Sequence, residues 1–209
     1  MDMKIFLEES LYIDFSSAII QEKVKSLFYG IDDDVEKAKT AYEYVRDEIP
    51  HTFYIQSDII TAKASDVLKF RTGICHAKAI LLAALLRAQD IPAGFCFQHI
   101  VLSEEEPVRY CVHCFNAIFI DDRWIKVDAS GNTNGKNAQF SLTEPKLAFS
   151  NRSDYDEYFW EGIYAKPHLD TMRMLEKANS VKDVVNHIPD YVHEAPDVAN
   201  EMIVFPEKS

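Results

Sequence analysis

Residues 73–88 read GICHAKAILLAALLRA: a glycine, a cysteine, and then an almost unbroken apolar run. From His76 to Gln89 the only ionisable side chains are His76, Lys78 and Arg87. A helix that is apolar most of the way round belongs at the centre of a domain. The stretch therefore predicts a buried helix over 75–89, stopped by Asp90 and by Ile91-Pro92, with Cys75 at its N-terminus. A cysteine there is either a small packing residue or a nucleophile.

Upstream of this helix the chain has helical spacing. Thr61 to Phe70 reads as a short helix ending ahead of Gly73. Residues 51–60, HTFYIQSDII, read as extended chain or loop. Asp32 to Asp34 suit the start of a helix over 34–48, with Val35, Ala38, Ala41, Tyr42 and Val45 on one face and Pro50 as its stop. Ser16-Ser17 precede a helix over 18–28 that Gly30 closes. Residues 3–15 alternate loosely and predict an opening strand or strand pair.

Downstream the period changes to that of strands: 93–102, then 108–120 after the charged turn SEEEP, then 123–128 after Asp121-Asp122. Residues 131–137, GNTNGKN, form a loop. The aromatic-rich stretch 138–165 is expected to wrap over the sheet, with one more strand near 156–164. Short helices are expected over 170–178 and 180–187. The 209 residues hold no repeat or low-complexity linker and suit a single domain over 1–209, with its core at about 62–130 and an aromatic and helical extension over 138–209.

The 34 acidic and 22 basic side chains leave a formal charge of −12, which argues against nucleic acid or an anionic membrane as the main partner. The first residues, MDMKIFLEES, carry no basic region followed by an apolar core, so no signal peptide is expected. No stretch reaches the ~20 apolar residues of a membrane span. A cytoplasmic location is expected, with Cys75, Cys96, Cys111 and Cys114 reduced.

A thiol nucleophile reacts as the thiolate, which a helix N-terminus favours, and the free N–H groups there can help to bind an oxyanion. Gly73 is expected to turn the backbone tightly and to leave the sulfur accessible. A base is also required, usually a histidine oriented by a third polar group. On the second strand His113, Phe115, Ala117 and Phe119 share one face. If Asp121-Asp122 is a two-residue turn, Ile120 pairs with Arg123 and Phe115 lies opposite Asp128. Asp128 is then the diagonal neighbour of His113 on the same face, about 7 Å away at the backbone. A three-residue turn would send Asp128 to the other face.

The ordered segments GICHAKAILLAALLRAQDIPAGF and HCFNAIFIDDRWIKVD, with ASDVLKFRTGIC ahead of the cysteine, resemble the core of the transglutaminase-like superfamily, of the bacterial transglutaminase-like cysteine peptidase type. The resemblance spans roughly 62–130. It implies a papain-like α+β fold in which a central helix carrying Cys packs on an antiparallel sheet carrying His and Asp. It implies Cys75 as nucleophile, His113 as base and acid, and Asp128 as the residue that orients His113. Phe115 stands where many members carry Trp, and Asn116 follows it as commonly found. The implied activity is acyl transfer through a thioester with no metal or organic cofactor, either hydrolysis of a peptide or other amide or amine transfer to protein glutamine. The implied partner is a peptide or protein substrate. A catalytically silent binding domain on the same fold is the alternative of a different class.

Other pairs are weaker. Cys96-x-x-His99 and Cys111-x-x-Cys114 have a zinc-like spacing, but residues three apart on a strand point to opposite faces and neither pair holds a Gly or Pro to make a knuckle. They read as packing residues, with Cys111 on the His113 face and therefore prone to oxidation. His76 points about 100° away from Cys75 and reads as lining or structural. His51, Tyr54, Gln56 and Gln98 carry donors that could complete an oxyanion hole, and no spacing selects among them. Trp124 and the run Tyr155 to Trp160 read as packing.

Overall fold

Ser17 ends an extended entry segment, and Ala18–Leu27 follows as helix α1, with Ile20 and Val24 buried. Helix α2 (Asp34–Glu48) starts where the Asp33 carboxylate accepts the Glu36 N–H at 2.8 Å, and its buried stripe is Ala38, Ala41, Tyr42 and Val45. Helix α3 (Ala64–Phe70) stops at Arg71, which takes a left-handed conformation. The apolar run becomes α4 (Cys75–Arg87), with every residue from His76 to Arg87 buried. A computed structural model of the chain describes residues 2–133 and 135–199, so Asn134 and the last ten residues of the expected extension lie outside the described residues.

Four fully buried leucines of α4, Leu81, Leu82, Leu85 and Leu86, contribute roughly 1.5–3 kcal/mol each relative to exposure. Its two buried cations are satisfied by carbonyl oxygens. Lys78 Nζ donates to Ile49 O at 2.5 Å and Ser130 O at 3.1 Å. Arg87 donates to the carbonyls of Ala93, Glu8 and Ala165.

The sheet has the order β3-β2-β1-β4, built from β1 (Ala93–Ser103), β2 (Arg109–Ile120), β3 (Arg123–Val127) and β4 (Tyr158–Phe159). All the pairs are antiparallel. The β2–β3 turn has two residues. Asp121 and Asp122 both take positive φ, 51° and 58°, and Ile120 stands opposite Arg123. That register puts Asn116 opposite Val127, so Asp128 falls beside Phe115 as the two-residue turn requires. Asn116 ties the sheet to α4 by donating to Ala79 O and Gly94 O, both at 3.1 Å.

Helices α5 (Leu169–Lys177) and α6 (Val181–His187) follow, and Pro189 O then accepts the Val112 N–H at 2.8 Å. Met172, Leu175, Val184 and Val192 join the buried cluster of the α4 leucines. Among the described residues no helix is long and apolar enough to cross a membrane.

Two expectations need correction. Residues 3–15 form no strand: Met3–Phe6 is one 3-10 turn, started by the Asp2 carboxylate on the Lys4 N–H. The loose alternation misleads because its apolar residues serve different clusters. Phe6 packs with Trp124 and Ile163, while Ile13 joins the helices. The strand expected near 156–164 is cut to Tyr158–Phe159, with a separate pairing of Tyr164 and Phe95. Between them Gly162 turns with φ 88°, where a Cβ would meet Pro196 and the Val198 carbonyl at 2.4 Å.

Candidate active site

Cys75 is the first residue of α4 and the one partly exposed thiol of the four. Gly73 works differently from expectation. Its φ is not left-handed; what excludes a side chain is Ala77 and Thr61, which an added Cβ would meet at 3.0 and 3.2 Å. The glycine lets the chain pass close to α3 and α4 just before the thiol.

His113 on β2 and Asp128 after β3 meet directly. His113 Nε2 lies 2.9 Å from Asp128 Oδ2, with both side chains almost fully buried. The carboxylate is well supported: Oδ1 accepts the Ser130 N–H at 2.9 Å and the Ser130 hydroxyl at 2.6 Å, and Oδ2 also accepts the Ala148 N–H at 3.1 Å. Phe149 stands edge-on to the His113 ring at 4.8 Å. With Nε2 held by Asp128, Nδ1 is the ring nitrogen left free, and His113 lines the same cavity as Cys75.

Electrostatics makes these groups an ion-pair system. Burial disfavours the Cys75 thiolate, but His76, then His113 and His51, outweigh it and hold the thiol well below its ordinary value. Burial also disfavours the His113 imidazolium, and the Asp128 charge and hydrogen bond overcome that and raise it to about 10. Burial opposes the Asp128 charge too, and the facing His113 with the Ser130 donors keeps the carboxyl ionised below its ordinary value. The other thiols are inert by comparison. Burial pushes Cys96 up to about 12, and it pushes Cys111 and Cys114 up as well. Cys111 does line the cavity, with its thiol raised by burial.

A cavity of about 230 Å³ opens at the sulfur. Its apolar wall includes Phe53, Ile100, Leu102, Phe149 and Ile188. Of two basic groups at it, His51 is one of the four candidates that no spacing could choose between, and Lys136 is missed by the sequence reading. His51 Nε2 accepts the Cys75 N–H at 3.2 Å, at the very amide expected to serve an oxyanion. Its Nδ1 faces the Phe53 N–H at 3.3 Å, and a neutral imidazole has one free ring lone pair, so only one of these amides is served at a time. Burial lowers the His51 pKa, which keeps the ring neutral. Lys136 lies over the Tyr54 and Phe149 rings at 4.5 and 4.2 Å, touches the Tyr54 hydroxyl, and is lowered to about 8 by burial. Both residues sit on loops, where no period marks them.

Of the remaining oxyanion-hole candidates, one reaches the cavity. Gln98 Nε2 donates to Asn151 Oδ1, and Gln56 does not line the cavity. Tyr54 does line it. Trp124 is buried against Phe6 and Phe119. The wall ring contributed by the aromatic-rich stretch is Phe149, ahead of the run Tyr155 to Trp160. Cys96 and Cys114 belong to buried clusters on different faces of the sheet, and among the described residues no group of three or more His, Cys, Asp or Glu could hold a metal.

Three comparisons bear on this arrangement. The family model of the transglutaminase-like superfamily matches residues 21–129, which runs from within α1 past β3 and takes in Cys75, His113 and Asp128. A crystal structure from Cytophaga hutchinsonii, described as a candidate cysteine protease, is similar at a TM-score of 0.50 with 25% sequence identity. The likeness covers 62% of this chain and 42% of that chain, so this chain spans less than half of its neighbour. No curated protein matches the chain significantly.

Proposed function

The chain belongs to the transglutaminase-like superfamily, and on that premise we propose that it hydrolyses a peptide or other amide bond through a thioester on Cys75. The observation that carries this reading is the buried His113–Asp128 pair at 2.9 Å, in the cavity that also holds a thiol on a helix N-terminus. The Cys75 thiolate attacks the amide carbonyl carbon, and the electron pair of the C=O bond moves to oxygen. That oxygen takes the place of His51 Nε2 at the Cys75 N–H. The His113 imidazolium gives its Nδ1 proton to the departing amine, and the C–N bond breaks to leave the thioester. His113 then takes a proton from water, hydroxide adds to the thioester carbonyl, and the acid leaves as the thiolate is restored. Asp128 remains ionised and holds the ring. As written, the cycle draws on no metal or organic cofactor.

The substrate is a peptide or protein with an apolar group beside the scissile bond, matching the apolar wall of the cavity. The reading includes a cytoplasmic location and one domain. The neighbour's description as a cysteine protease supports hydrolysis over amine transfer. Transamidation is the second reading, because the same triad serves both fates of the acyl-enzyme. Incubation with a glutamine-containing peptide and a labelled amine separates them: hydrolysis predicts release of free acid in excess of amine incorporation, and the opposite ratio favours the transamidase. A silent binding domain predicts no turnover and no change in Cys75→Ala.

A further inference from the structure

Cys75 has a second imidazole neighbour. His76 Nδ1 lies 3.4 Å from the sulfur, and the ring is fully buried, stacked near Phe97. Beyond it runs a chain of polar groups. His76 Nε2 is 3.4 Å from Thr171 Oγ1, which is 2.8 Å from His168 Nδ1. His168 Nε2 faces the partly exposed Glu194 carboxylate at 3.8 Å. Thr171, His168 and Glu194 all lie beyond residue 129, where the family match ends.

Counting protons gives one consistent direction for the two hydrogen bonds. His168 Nε2 has no hydrogen-bond partner, but the Glu194 carboxylate 3.8 Å away favours a proton on Nε2, which leaves a lone pair at Nδ1. The Thr171 hydroxyl, with one proton, donates to that lone pair. Thr171 Oγ1 then accepts from His76 Nε2–H. With Nε2 protonated, neutral His76 has its lone pair at Nδ1, directed at the Cys75 sulfur. Burial first, and then His76, depress His168 to about 4, which keeps it the neutral link this ordering needs.

We propose that His76 assists the ionisation of Cys75, its Nδ1 held on the sulfur through Thr171 and His168, so that the C-terminal segment sets how readily the thiol ionises. The inference rests on reading Cys75 as the nucleophile. The thiol proton passes from Sγ to His76 Nδ1, sulfur keeps the electron pair, and the new N–H donates back to the thiolate. The same N–H meets the thiolate when it leaves the acyl-enzyme, while His113 keeps the proton traffic of the amine and water. The titratable groups around His76 are Cys75 beside it, His113 across the sulfur, and His168 from α5, with Glu194, Asp170 and His193 acting on His168.

The test is the pH profile of iodoacetamide alkylation at Cys75 from pH ~5 to ~9, resolved by peptide mass mapping of the full chain. Thr171→Val keeps the shape and removes both hydroxyl links. Its thiolate transition is expected to rise by about half a unit or more, or roughly threefold less reaction on the acid limb. Thr171→Ser is expected to restore the wild-type profile. Superimposable profiles for Thr171→Val and wild type overturn the inference. If Thr171→Val does not fold, Thr171→Ala reads the same loss with less bulk, and an unshifted profile there overturns it equally. A wild-type Cys75 that reacts no faster below pH ~8 than an ordinary thiol contradicts the nucleophile reading itself, and the inference falls with it.

Discussion

His113 is hydrogen-bonded to Asp128 in the cavity that holds Cys75, and reading the three as one proton-linked unit gives two expectations. Asp128→Asn keeps the volume and the Ser130 contact but removes the charge that raises His113. Turnover of a cleaved peptide is expected to fall by ~10²-fold or more, measured as kcat. The second concerns stability against pH. In the folded chain His113 stays protonated up to about 10, against an ordinary 6.5, while Cys75 is ionised well below its ordinary 9.0. Between those ordinary values the folded chain gains a proton at His113 and loses one at Cys75, so the pair leaves stability flat with pH. Cys75→Ser removes the loss and keeps the part of the gain that Asp128 supplies. Its stability relative to wild type is therefore full below pH ~6.5 and falls as pH rises above it, over a window that closes below about 10 because Cys75 itself helps to raise His113, by up to ~1.4 kcal/mol per unit. Urea unfolding at a series of pH values measures that difference, and parallel curves contradict it. Of the residues at this site, Cys75, His113 and Asp128 are legible in the sequence because a helix start and a strand register constrain them. His51 and Lys136 are not, since the loops that bring them have no period. His76 was readable only as a neighbour pointing elsewhere, because its partner Thr171 is remote in the chain.

The elements carry the site through a few polar ties. Lys78 on α4 joins the ends of α2 and β3 by donating to Ile49 O and Ser130 O, and Ser130 in turn holds Asp128. Lys78→Met fills similar space and leaves those buried carbonyls without a donor. A loss of about 1–3 kcal/mol is expected in chemical denaturation. Turnover should fall with it, as the Ser130 segment loosens. The β2–β3 hairpin was legible in detail because Asp121-Asp122 is short and aspartate tolerates positive φ, which fixes the register and sends Asp128 to the His113 face. The opening segment was not legible, because alternation implies a strand only when one sheet face receives every second residue. Phe6 and Ile13 instead enter separate clusters.

The chain as a whole buries its last described third against the helix that carries Cys75. Met172 and Leu175 pack in the same cluster as the α4 leucines, and Ala148 donates to Asp128. The segment matched by the family model thus lacks part of its own cover. Removing residues 151–209 is expected to abolish a cooperative thermal transition, and the full chain is expected to unfold in one, both followed by near-ultraviolet circular dichroism. A truncated chain that unfolds cooperatively with unchanged Cys75 reactivity would show the C-terminal third to be dispensable. Sequence alone gave this third two helices and an aromatic wrap but not its role, since its contacts are long-range and aperiodic.

The claim on which all of this depends is a thioester at Cys75. The most direct measurement is mass spectrometry of the protein quenched in acid during incubation with a peptide library. The account predicts a hydroxylamine-labile acyl group on Cys75, absent from Cys75→Ala. Peptide cleavage that continues in Cys75→Ala, or a Cys75 that never carries an acyl group while peptides are turned over, would contradict it.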